Sequence, residues 1–139
     1  MWREFLSQLS DSLAFRPGCP PAQLADAEAR LGVRIPTALA DLLSETDGFY
    51  DTESQYDYAW DHATIVAENT LHWLDDDAPL DHDLLGFGGD GSGGWFCLSH
   101  ATDTTASVYH WAWIDRERRL IAPDLPAFWR GWLTGSIKV

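Results

Sequence analysis

From Leu84 to Leu98 the chain reads LLGFGGDGSGGWFCL, with six glycines among the nine residues Gly86 to Gly94. Glycine reaches positive φ without steric cost, so such a run marks a place where the backbone turns. It also holds the G-x-G-x-x-G spacing twice, from Gly86 and from Gly89, and its GDGSGG lies one glycine away from the GDSGG of trypsin-like proteases. A dinucleotide site needs its glycines between a strand and a helix, because the pyrophosphate rests on the helix N-terminus. Here WFCLS follows, and three of its five residues are large and apolar or aromatic, which predicts a strand. No Lys-Ser or Lys-Thr completes a P-loop. The inserted Gly91 and a length of 139 residues exclude a double-barrel protease. The run is therefore expected to join two strands, with Gly86, Gly88 and Gly94 as structural glycines and no nucleotide or other cofactor bound.

The remaining elements follow from periodicity. Trp2, Phe5, Leu6, Leu9 and Leu13 recur at helical spacing and predict one helix through Phe15. AQLADAEARLG predicts a second, with Leu24, Ala27 and Leu31 on one face and Gly32 just past its end. Pro36 opens a third, with Leu39, Leu42 and Leu43 inward and Asp47-Gly48 closing it. YDTESQYDYAW reads as a loop with a short strand near Tyr56 to Trp60. HATIVAENTLHWL reads as a helix whose inner side carries Ile65, Leu71 and Leu74. LLGFG, WFCLS, SVYHWAWI and RLIA read as strands. In the third of these, Tyr109, Trp111 and Trp113 alternate against Val108, His110, Ala112 and Ile114. Asp124 caps a last helix with Leu125, Phe128, Trp129, Trp132 and Leu133 on one face, ended by Gly135. Helices, then strands, then a helix imply an α+β fold, with a largely antiparallel sheet, in one domain spanning residues 1–139.

Charge narrows the function. The chain carries 9 basic and 22 acidic residues, a formal net charge of −13, and between Arg34 and Arg116 it has no Lys or Arg. That block, Ile35 to Asp115, holds 16 Asp and Glu. Self-repulsion of this size opposes compactness; the acidity is either a solvated surface or a field that recruits a basic partner, and nucleic acid would be repelled in both cases. No apolar run approaches the ~20 residues of a membrane helix. The first residues lack the apolar segment of a secretion signal, and Cys19 and Cys97 sit in no metal-like spacing. Free thiols in a reducing cytoplasm are expected.

The segment with His72, Asp75, Asp76, Asp77, Asp81, His82 and Asp83 has donors for a cation, but neither the EF-hand nor the H-E-x-x-H spacing. No metal site is expected there. His62, His100 and His110 have no evident triad. Trp60 and Trp95 flank loops and are candidates for interface anchors.

PPAQLADAEARLGVRIPTALADLLSETDGF resembles the opening signature of the SUKH superfamily, which includes fungal cell-wall-synthesis regulators and many bacterial immunity proteins. Glu28, Leu31, Gly32, Pro36, Leu39, Leu42, Asp47 and Gly48 stand at matching positions, with Ile35 where Leu is commoner. The glycine run is similar to that family's hairpin, ASVYHWAW to its next strand and APDLPAFWRGWL to its closing helix. The resemblance covers Pro20 to Leu133. It implies an α+β fold without catalytic residues, and for a short bacterial-type domain it implies neutralisation of a toxin, often one acting on nucleic acid. Contacts with such a basic toxin are expected from the two segments matching no family motif: Asp51, Glu53, Tyr56, Asp57 and Trp60, and Asp75, Asp76 and Asp77. A regulatory scaffold domain, as in the fungal relatives, is the alternative. An enzyme or metal protein built on the Asp/His segment is a third reading.

Overall fold

The structure, a computed structural model, describes residues 1–100 and 107–139. Ala106, the first residue of the quoted ASVYHWAW, lies outside the described residues. The element order is α1 (Trp2–Ser7), β1 (Leu13–Phe15), α2 (Pro21–Leu31), α3 (Thr37–Glu45), β2 (Phe49–Asp51), β3 (Asp57–Ala59), α4 (His62–Trp73), β4 (Leu84–Gly89), β5 (Trp95–Ser99), β6 (Val108–Ala112), β7 (Glu117–Ala122) and α5 (Leu125–Thr134). This is an α+β fold with helices at both ends and two antiparallel sheets, ordered β1-β2-β3 and β4-β5-β6-β7. The sheets abut where the Trp60 N–H donates to the Phe87 carbonyl at 2.9 Å.

The first helix is shorter than its periodicity predicts. It ends at Ser7, and Leu13–Phe15 pair with β2, Phe15 opposite Phe49. Pairing wins because β2 offers a complete backbone partner and the Phe15 ring meets Phe49 at 6.0 Å. Short polar residues favour turns over helix interiors, and Ser10, Asp11 and Ser12 make the break. The Ser12 hydroxyl then donates to Asp51 at 2.6 Å.

The other helices carry their stop and start signals. Gly32 adopts φ 74° and closes α2 by donating to the Glu28 carbonyl. The Glu28 side chain accepts from the Ile35 N–H at 2.8 Å, which holds the turn into α3. Asp61 caps α4 through Thr64 N–H, and Asp124 caps α5 through Ala127 N–H. Gly135, at φ 85°, ends α5.

The four-stranded sheet buries both faces. Leu85, Phe87, Phe96, Leu98 and Val108 face α5 and join the main core with Phe128 and Trp129. Leu84, Trp95, Cys97 and Trp111 face the other way. Tyr109 and Trp113 pack on that second side, as the alternation in β6 predicts. Its cover is α4 and the loop behind it, from which Leu80 plugs into the aromatic cluster. Strand β4 bulges at Phe87, between the Gly86–Cys97 and Gly88–Phe96 pairs. The bulge adds one residue, so that Gly88 rather than Phe87 stands opposite Phe96.

Candidate functional site

Helix α4 turns a different face inward from the one its leucines suggest. Ile65 and Asn69 are fully buried, whereas Leu71 and Leu74 are 64% and 79% exposed. At ~100° per residue, Asn69 and His72 lie within roughly 40° of Ile65, while Leu71 and Leu74 lie roughly 240° and 180° away. Asn69 is a residue that sequence reasoning missed. Its amide nitrogen donates to the Ile65 and Gly86 carbonyls, each at 2.8 Å, and its oxygen accepts from the Gly86 N–H at 2.7 Å. A polar residue four positions after Ile65, one turn along the same side of the helix, was the available signal.

The His72 ring lies against Trp95 and Trp113, with centroids 4.8 and 4.7 Å apart. The Leu80 N–H donates to the His72 carbonyl, so the loop after α4 folds back over the sheet. Arg118 of β7 holds that return, donating to Asp81 at 2.7 and 3.1 Å and to Asp83 at 2.5 and 2.8 Å. Two of the aspartates in the dense acidic segment are thus a clamp. Asp75 accepts from the Asp77 and Ala78 N–H groups, which hold its carboxyl below the usual range. Asp75, Asp76 and Asp77 are exposed, and no ion pair among the described residues involves them.

The β2–β3 turn is built differently. Asp51 is buried and accepts from the Ser12 hydroxyl, the Ser54 hydroxyl and the Ser54 N–H. These bonds, that from Ser12 first, pull its pKa down to about 2. Tyr56 donates its hydroxyl to the Gly89 carbonyl, which fastens this turn to the glycine run. Asp57 pairs with Arg16 at 2.6 Å, and Trp60 packs edge-on against Trp95 at 4.9 Å. Glu53 is exposed. A group whose folded pKa is depressed stabilises the fold above its ordinary value, ~3.9 for Asp, and that contribution is lost as pH falls through the folded value. Urea midpoints of the wild type should therefore drop between pH 4 and about 2 more steeply than those of Asp51→Asn. Parallel acid limbs would show that the Ser12 and Ser54 bonds do not govern this turn.

The glycines serve close approach more than turning. Only Gly91 and Gly93 of the run have positive φ. A Cβ on Gly86 would meet the Trp95 ring at 2.5 Å, one on Gly88 the Tyr58 carbonyl, and one on Gly94 the Asp90 and His110 side chains. Gly48 has φ 83°. Strand β5 follows the run, with no helix N-terminus to receive a phosphate. Asp90 accepts from the Ser92 and Gly94 N–H groups and contacts His110 Nε2 at 2.8 Å, so Ser92 and His110 share one carboxylate rather than forming a nucleophile–base pair.

One mixed cluster was not visible in sequence spacing. Cys19, Asp47 and His62 bring ligand-type atoms within 4.8 Å of one another. Each has a task in the fold. Both Asp47 oxygens bond to His62, one to its backbone N–H at 2.8 Å and one to Nδ1 at 2.6 Å, which seats the start of α4. Cys19 is buried, and burial, reinforced by Asp47, raises its thiol pKa. Cys97 is buried as well, and neither cysteine forms a disulfide. No helix among the described residues is long and apolar enough to cross a membrane.

The signature positions thus have structural tasks: Glu28 on the α2–α3 turn, Gly32 at the α2 end, and Asp47 and Gly48 at the junction of α3, β2 and α4. No curated protein matches this chain. The model of the SMI1 / KNR4 family (SUKH-1) matches residues 18–131, and the chain belongs to that family.

Proposed function

We propose that this protein binds and neutralises a cognate bacterial toxin with a basic surface, of the kind that acts on nucleic acid. Family membership is consistent with immunity and with regulatory roles, both exercised through protein contacts. The observation that carries the toxin reading is the exposed Asp75, Asp76 and Asp77 triplet, free of ion pairs among the described residues, on a chain of net charge −13. A phosphate-gripping enzyme presents a cationic cleft, and unpaired carboxylates complement it without first having to break internal pairs. Glu53 is the second part of the proposed contact set. Asp51, Tyr56, Asp57 and Trp60 already have partners within the fold, so their side chains first serve the β2–β3 turn and its neighbours.

The test is a search for a toxin domain encoded beside this chain's gene, followed by co-expression of the two. Growth should be restored by the wild type, and the purified pair should associate at a rate that falls steeply as the Debye length shortens from ~30 Å at 0.01 M to ~8 Å at 0.15 M salt. Absence of both rescue and complex would overturn the reading.

A further inference from the structure

We infer that the apolar anchors of this protein are Leu71, in the last turn of α4, and Leu74, which caps that helix, and that their occupant is a protein surface with an apolar recess ringed by Lys or Arg. The inference rests on the toxin-binding reading above and names the contact within it.

Both leucines are large, apolar and more than half exposed, three residues apart, which places them side by side on the helix surface. They border a shallow hollow shared with Thr70, His72 and Asp75. Its position is fixed from beneath: His72 is wedged on Trp95 and Trp113, and its carbonyl holds Leu80. A helical turn on a rigid floor loses little conformational freedom on binding, which is the condition for an efficient hot spot. The aspartate triplet begins one residue after Leu74, so the apolar pair has an acidic rim. Charge selects the occupant. A second copy meeting this face about a two-fold axis would set two triplets against each other, and an anionic lipid surface would repel them. A recess bordered by cations satisfies both leucines and rim.

Affinity for an inactive form of the toxin domain identified by the growth rescue tests the assignment. The double variant Leu71→Ser/Leu74→Ser should raise Kd roughly 100-fold, mostly through the off-rate. Asp75→Asn/Asp76→Asn/Asp77→Asn should slow association roughly 10-fold and flatten its salt dependence. Leu120→Ser, which removes an exposed leucine of β7, should leave both rates unchanged. All these positions face solvent, and unchanged urea midpoints would confirm intact folding. Wild-type binding that survives the double leucine change would overturn this inference and leave the toxin reading standing. Failure of the wild type to bind would overturn the toxin reading. A wild-type dimer by light scattering, dissolved by the double variant, would make the occupant a second copy and overturn the assignment of a basic partner.

Discussion

Asn69→Ala is expected to lower the unfolding free energy by about 3 kcal/mol or more. The Asn69 amide satisfies both backbone groups of Gly86, in a place where side chain and strand are sealed from water. Removing it leaves a buried N–H and a buried carbonyl without that partner, each costing ~1–3 kcal/mol. The bulge begins beside Gly86, so the pairing of β4 with β5 depends on this staple. Against a total stability of ~5–15 kcal/mol for a domain, such a loss is severe. Equilibrium urea unfolding measures it directly, and a change below ~1 kcal/mol would mean that the strand holds its register unaided.

The second large effect belongs to Gly48→Ala, again about 3 kcal/mol or more. A left-handed conformation costs a non-glycine residue ~1–2 kcal/mol by itself. Here the added Cβ would also meet the Ala59 carbonyl at 2.6 Å, the Trp60 carbonyl carbon at 2.9 Å and the Asp61 N–H nitrogen at 2.9 Å. All three are backbone atoms at the β3–α4 junction, so relief requires moving a strand end and a capped helix. Gly32→Ala is the internal comparison. Gly32 has φ 74°, but a Cβ added there would meet nothing within 4 Å, so only the conformational cost of ~1–2 kcal/mol applies. Equal losses at the two sites would remove the close approach as the reason for Gly48.

Much of the architecture could be read from the chain because local and tertiary preferences agree there. Helices α2, α3 and α5 combine a single apolar stripe with proline, aspartate or glycine at their ends, and the alternation in β6 separates two cores correctly. The misreadings arise where those preferences part. Leu9 and Leu13 continue the period of α1, but the strand that claims Leu13–Phe15 lies far along the sequence and reaches them only in the folded chain. Leu71 and Leu74 look inward because apolar residues usually are. The inner stripe instead contains an asparagine, which sequence reading scores as polar until its two backbone partners are known. Glycine positions were legible, but the reasons for Gly86 and Gly88 lie in a tryptophan ring and a neighbouring strand. The aspartates divided into a clamp and an exposed triplet without ion pairs among the described residues only once Arg118 was placed across from Asp81 and Asp83.

That division within one loop has an evolutionary consequence. Leu80, Asp81 and Asp83 discharge the loop's duties to the fold, as plug and clamp. Asp76 and Asp77, exposed and free of ion pairs among the described residues, owe the fold almost nothing through their side chains. Surface substitutions away from structural features usually change stability by less than ~0.5 kcal/mol. A lineage can therefore rewrite these positions freely while the scaffold that displays them stays the same.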